Sequence, residues 1–295
     1  TSYVEMNEWT LPAKAAAVYD DLVAREKQAG RYEASKPFVR GGIWKNFFMR
    51  YPESNWVHKR MLGLSDRLAA LPAGGRTAAL TERLYRAQAN DAYWHGLFGG
   101  LYLPHLRREV FRNLVLLEAG LDAVAPRAPM AAADTDFDGV RELFLCNADL
   151  QAVVKLDAHA ALCELDAYRL GHNFADVLTQ RTEHYYGTLD AAADATPSGG
   201  GIASAHDRVA FKDAVVSTDV APDARPRRLF ADAWQRLDGE TAWPRYAEVA
   251  FKAPLMRAEF AAALDEGEVT KTIALAGGTL QVGYRLRNVP GGRFS

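Results

Sequence analysis

At 295 residues the chain is long enough for two ordinary domains, and 49% hydrophobic with 24% charged residues is the composition of a globular protein, not a disordered one. Its 35 basic and 37 acidic residues leave a net charge of −2, which argues against the electrostatic footprint of a nucleic-acid binder. An uncharged partner is expected instead.

Two cysteines, Cys146 and Cys163, are too few for a disulfide framework or a four-ligand zinc site. They read as reduced thiols of a cytoplasmic protein, though neighbouring strands would allow them to pair. No apolar stretch approaches the roughly 18 residues that span a bilayer, so no membrane partner is expected. The N-terminus lacks a basic-then-apolar signal pattern. Both ends look cut: the first residue is Thr1, and the last alternating stretch, residues 279–287, reads as a strand with little chain after it to pair with.

In chain order, residues 12–28 read as an alanine-rich helix with Val18, Leu22 and Val23 on a stripe, proline in its first turn and Gly30 past its end. An aromatic connector follows over residues 38–49. Val57, Met61, Leu64 and Leu68 recur at spacings of four, three and four, giving a second helix with one apolar face. Residues 72–75 break it. A third helix starts near Thr77 with Leu80, Leu84 and Ala87 inward, and a fourth runs from about Pro104 through Leu106, Val110, Leu114, Leu117 and Leu121. Four such helices with short connections predict a bundle.

The texture changes at an Ala/Pro-rich linker over residues 125–133. Short alternating segments follow at Glu142–Cys146, 150–156 and 161–167, the pattern of an antiparallel sandwich. In the last of these Cys163, Leu165 and Ala167 share one face, and Glu164 and Asp166 share the other. Residues 196–201 read as a flexible surface loop. The expected fold class is thus α+β and multidomain: a helical bundle over 1–125, a linker over 126–135 and a β-sandwich over 136–295.

One stretch concentrates chemistry. Within ten positions it places Arg86, Gln88, Asn90, Asp91, Tyr93, Trp94 and His95. If the third helix continues past Ala87, Asp91 and Trp94 fall on its formerly apolar face, with Gln88, Asp91 and His95 on that side at spacings of three and four. Burying such groups is costly unless each has a partner. A sugar would provide them: its apolar face suits Trp94 or Tyr93, and its hydroxyls suit Asp91, Gln88 and Asn90. The alternative is a buried polar network that fixes the helix against its neighbours. A metal at Asp91 and His95 would rest on two ligands alone, a weak signal. No spacing supports Ser-His-Asp or Cys-His catalysis, and His184 and the 206–207 His-Asp pair read as ordinary polar residues of the β-rich half.

Residues 41–47 (GGIWKNF), 51–62 (YPESNWVHKRML) and 85–100 (YRAQANDAYWHGLFGG) resemble glycoside hydrolase family 57, in its 4-α-glucanotransferase and α-amylase branch. Residues 137–140 (FDGV), 176–185 (DVLTQRTEHY) and 202–207 (IASAHD) resemble the C-terminal β-sandwich of those enzymes. The resemblance implies a galactose-mutarotase-like sandwich, incomplete here, and a catalytic barrel lying before Thr1. That barrel would supply a glutamate nucleophile and an aspartate acid/base for retaining transfer. No catalytic residue, metal ligand or cofactor is therefore assigned to this chain.

The resemblance also implies an α-1,4-glucan or maltooligosaccharide as partner and sets residues 90–95 beside the active-site cleft. Trp94 would be the stacking platform and Asp91 a hydroxyl acceptor. Two other readings remain: a free-standing carbohydrate-binding or scaffolding module without enzymatic activity, and a sugar epimerase using the sandwich.

Overall fold

The computed structural model describes residues 4–96, 99–188, 215, 217–264, 266–289 and 291–295. The expected loop at 196–201 and the 202–207 stretch lie outside these. The chain divides into two compact units that interleave in sequence. One holds Thr1–Asn55, Asp91–Leu103 and Leu178–Pro226; the other holds Trp56–Asn90, Pro104–Val177 and Arg227–Ser295.

The first unit is helical. It contains α1 (Val4–Trp9), α2 (Ala13–Gln28), α3 (Tyr32–Ser35) and α4 (Trp44–Arg50). Alanine favours helix in α2, but the helix buries one of its alanines and not its larger apolar residues. Ala16 is fully buried, whereas Val18 and Leu22, read as a core stripe, are 66% and 38% exposed. The stretch read as an aromatic connector covers all but the last residue of α4, whose Phe47 and Phe48 join Met6, Tyr51 and Leu101 in an aromatic core. Asn46 Oδ1 accepts the Ile43 N–H at 2.9 Å and so satisfies one of the free amides at this helix start.

Helix α5 (Pro52–Ala70) follows, and its residues from Trp56 onward belong to the second unit with α6 (Ala78–Ala87) and α7 (Pro104–Val124). The predicted stripe Val57, Met61, Leu64 and Leu68 is buried. Thr77 caps α6 by accepting the Leu80 N–H, and Leu80, Leu84 and Ala87 face inward. On α7 Val110, Leu114, Leu117 and Leu121 are buried as expected, and so are Arg107, Asn113 and Glu118.

The strands of this unit pair antiparallel throughout. Strands β1 (Met130–Ala133), β2 (Glu142–Cys146), β3 (Leu150–Lys155), β4 (Leu162–Ala167) and β5 (His172–Asn173) form one sheet in sequence order. Strands β8 (Ala247–Lys252), β9 (Arg257–Leu264), β10 (Gly267–Ala276) and β11 (Thr279–Arg287) form a second. Strands β6 (Trp234–Arg236), β7 (Thr241–Ala242) and β12 (Gly292–Phe294) form a third, small one. Leu143, Leu145, Val154 and Leu162 of the first sheet pack with Phe260, Leu264, Val269 and Ile273 of the second, which makes a sandwich core.

Strand β1 lies inside the stretch read as a linker and pairs with β2, Met130 opposite Leu145. The strand expected at residues 279–287 is β11, paired in full with β10. On β4 both faces are covered: Glu164 and Asp166 are buried on one, while on the other Ala167 is buried and Cys163 and Leu165 are half-buried, Leu165 against the sandwich core. Cys146 and Cys163 are free thiols. No helix among the described residues is long and apolar enough to cross a membrane.

Candidate functional site

The helix expected to continue past Ala87 stops there. Gln88 closes it, its N–H reaching the carbonyls of Leu84 and Tyr85, and the chain enters a short 3₁₀ turn over Asn90–Tyr93. The single face that was to carry Gln88, Asp91 and His95 is therefore not formed. Gln88 and Asn90 are exposed residues of the second unit, with Gln88 Nε2 3.7 Å from Met61 Sδ. Asp91 is exposed in the first unit, Trp94 is half-buried, and Tyr93 and His95 are buried.

The turn through Tyr93–His95 is held from several sides. Ser54 Oγ donates to the Tyr93 carbonyl, and Leu101 N–H donates to the Trp94 carbonyl at 2.8 Å. Gly100 makes that closure possible. Its φ is +40°, and a Cβ there would sit 2.1 Å from the Trp94 carbonyl oxygen and 2.7 Å from that of Asp91. Trp94 rests against the cluster of Met6, Phe47, Phe48, Tyr51 and Leu101.

Behind this turn lies a buried polar network that the sequence reading did not single out. Glu183, 1% exposed, accepts from the Tyr51 hydroxyl at 2.6 Å, from the Tyr102 hydroxyl at 2.5 Å and from Arg50. His95 Nε2 lies 2.6 Å from the Tyr51 oxygen. The Tyr51 hydrogen is committed to Glu183, so Nε2–H of His95 is the donor to Tyr51. Burial first, then the positive Arg50, pushes the His95 pKa down to about 3. His95 is thus neutral, and its 3.9 Å separation from Glu183 is not an ion pair.

Burial and the Glu183 charge hold both tyrosines far above the usual phenol range. With three donors and almost no exposure, Glu183 is engaged within the fold. His184, read as a residue of the β-rich half, instead belongs to this helical unit, its ring 5.8 Å from Trp9 and its Nε2 3.5 Å from Asp20. A carboxylate followed by His184, Tyr185 and Tyr186 was the one local sign of such a cluster.

Two groups of carboxylates in the second unit lie close enough to ligate a metal: Asp134, Asp136, Asp138 and Glu142, and Glu118, Glu164 and Asp166. In each a cation of the protein already sits among them. Lys155 Nζ is 3.0 Å from Asp136 and 2.7 Å from Asp138, and it also bonds Glu142. Arg60 bonds both Glu118 and Glu164. The charge of the second group is further balanced by Arg67 and Arg127 at Glu118, whereas Lys155 offsets only part of the charge of the first.

Two family profiles match the chain: "Alpha-amylase/4-alpha-glucanotransferase, middle domain" over residues 42–121 and "Alpha-amylase/4-alpha-glucanotransferase, C-terminal" over residues 134–295. The chain belongs to glycoside hydrolase family 57, in its α-amylase/4-α-glucanotransferase branch. The match includes the whole Asn90–Tyr93 turn, Trp94 and His95. Among the family's members, an α-amylase of Pyrococcus abyssi is 43% identical over 70% of the chain and 30% of its own length. A 4-α-glucanotransferase of Thermococcus kodakarensis is 40% identical over 83% of the chain and 35% of its own length. The crystal structure of 4-α-glucanotransferase from Thermococcus litoralis superposes on 97% of the chain and 42% of its own chain, with a TM-score of 0.74 and 30% identity. The chain therefore spans about a third of the length of the curated relatives it matches, and carries the middle and C-terminal parts of such an enzyme.

Proposed function

We propose that this chain contributes substrate contacts to an enzyme acting on α-1,4-glucans or maltooligosaccharides, by transfer between chains or by hydrolysis. The catalytic carboxylates of that reaction are assigned to no residue of this chain. In the retaining route of such enzymes one carboxylate forms a glycosyl-enzyme and a second moves the proton. The role of this chain is to hold the glucan.

The observation that carries the reading is the state of Trp94. A half-buried indole on a turn closed by Leu101 and Gly100 rests against the aromatic core without being fully covered. A pyranose has an apolar face that stacks on such a ring, at little entropic cost because the ring is already packed against the core. Exposed Asp91, three residues before it, accepts sugar hydroxyls, and Tyr93 and His95 hold the turn from inside. Gln88 and Asn90 offer amide donors and acceptors to the same class of ligand. The relatives named 4-α-glucanotransferase and α-amylase support a glucan as that ligand.

Trp94→Ala tests the reading. Maltoheptaose binding, measured by calorimetry, should weaken about tenfold, the loss of one good apolar contact, while the thermal midpoint moves little. Unchanged binding with a large drop in the midpoint would assign Trp94 to packing alone.

A further inference from the structure

We infer that Glu183 is a positioning residue for the Trp94 platform: a buried carboxylate that ties both ends of the segment from His95 to Tyr102 to the aromatic core. This rests on the glucan-contact reading of Trp94 and deepens it. The two ties meet at one atom. Glu183 Oε1 accepts the Tyr102 hydroxyl at 2.5 Å, across 81 positions of sequence. It also accepts the Tyr51 hydroxyl at 2.6 Å, across 132 positions, and Tyr51 in turn accepts His95 Nε2–H at 2.6 Å. His95 directly follows Trp94, and Tyr102 directly follows Leu101, whose N–H bonds the Trp94 carbonyl. Trp94 therefore stands at the entry of a segment whose two ends share one anchor, and its carbonyl is bonded from the far end by Leu101.

The rings repeat the same closure. His95 meets Tyr51 edge-on at 4.8 Å and Tyr102 at 4.9 Å, so the imidazole is wedged between the two phenols. Arg50 completes the set. It neutralises Glu183 and also donates to the Trp9 carbonyl at 3.3 Å and to that of Leu11, which joins the end of α1 to the same centre. Hydrogen bonds to a buried carboxylate are among the stronger ones, and a network of this kind specifies one geometry where apolar packing alone tolerates several. Loops that bind ligands are otherwise drawn from the least stable parts of a fold.

The test uses the 295-residue chain with maltoheptaose as probe and three variants: Trp94→Ala, Glu183→Gln and Tyr102→Phe. Calorimetry reads affinity, and amide hydrogen exchange at Leu101 reads closure of the loop directly, because that N–H is the one held by Trp94. Glu183→Gln should weaken maltoheptaose binding about tenfold and speed Leu101 exchange by a similar factor, the effect expected for losing a charge-assisted anchor. Tyr102→Phe should move both readouts in the same direction by a smaller factor. Trp94→Ala should weaken binding while leaving Leu101 exchange slow.

If Trp94→Ala weakens binding but both anchor variants bind like the parent, the inference is overturned and the glucan reading stands. A lower thermal midpoint in those variants without a change in affinity or exchange overturns it equally. If Trp94→Ala binds as tightly as the parent, the glucan reading fails and the inference falls with it. Should Glu183→Gln not fold, Tyr102→Phe, which removes one hydroxyl from a half-buried side chain, decides by the same two readouts.

Discussion

Arg60 grips Glu164 through Nε, at 3.1 and 3.2 Å, and through Nη2, at 3.0 Å, across 104 positions of sequence. The same guanidinium bonds Glu118 on α7, while Trp56 Nε1 donates to Glu164 at 2.7 Å and Gln151 Nε2 to Glu118, Glu164 and Asp166. One buried cation thus links a helix to the buried acidic face of β4.

Removing that cation leaves two buried carboxylates short of charge. Arg60→Met should destabilise the fold by about 3–5 kcal/mol, the usual cost of breaking a buried pair from one side. Urea titration followed by circular dichroism measures it. A loss below about 1 kcal/mol would mean that Arg67 and Arg127, which also reach Glu118, carry the balance.

Among the described residues no cation bonds Asp166. Burial, then the neighbouring Glu164 charge, raises its pKa well above the usual carboxylate range. A proton on Asp166 turns its repulsion of Glu164 into a hydrogen bond. The folded state then holds a proton that the unfolded chain has released above about pH 4. Stability is complete below the unfolded value and declines as pH rises toward the folded one. Asp166→Asn supplies a neutral side chain of the same shape, so its stability should exceed the parent's at neutral pH and lose this part of the slope. Denaturation midpoints at a series of pH values test both; an Asn variant weaker than the parent at pH 7 would refute the assignment.

His95 acts in the opposite direction. Its folded pKa of about 3 lies below the ordinary 6.5, so the unfolded chain takes up a proton that the fold excludes. Stability contributed by the neutral ring is present above pH 6.5 and is lost as pH falls through the window down to about 3, with a slope of up to about 1.4 kcal/mol per pH unit. His95→Gln keeps a donor for Tyr51 and cannot titrate. It should flatten the acid limb without removing it, because His58, lowered to about 4 by burial and then by Lys59, has a slope of its own.

Much of the architecture was legible because its signals are local. Thr77 with Leu80, Leu84 and Ala87 marks a capped amphipathic helix, and Glu142–Cys146 matches β2 at both ends. The end of α6 was hard to read, since residues 88–91 (QAND) contain neither glycine nor proline and only the weaker stop signals, Arg86 in the last turn and Asn90 after it, mark the end. The face of β4 was misleading for another reason. Alternation reports that Glu164 and Asp166 share a side, but that this side is buried as well depends on Arg60 and Gln151, brought in by other elements. Val18 and Leu22 show the converse, apolar residues that the fold leaves exposed. In the site, Trp94 and His95 announced themselves by composition, whereas Glu183 gains its meaning from partners 81 and 132 positions away.

Two glycines separate backbone strain from helix propensity. Gly100 is pressed against the Trp94 carbonyl and holds φ +40°, so Gly100→Ala forces the turn open and should cost about 2 kcal/mol or more, together with a loss of maltoheptaose affinity. Gly63 lies within α5, and a Cβ there would meet nothing within 4 Å. Gly63→Ala should therefore stabilise the chain by about 0.5–1 kcal/mol, through reduced freedom of the unfolded backbone, and leave affinity unchanged. Thermal melts and calorimetry on both variants provide the comparison. If Gly100→Ala bound maltoheptaose as the parent does, the closure between Trp94 and Leu101 would not govern the platform.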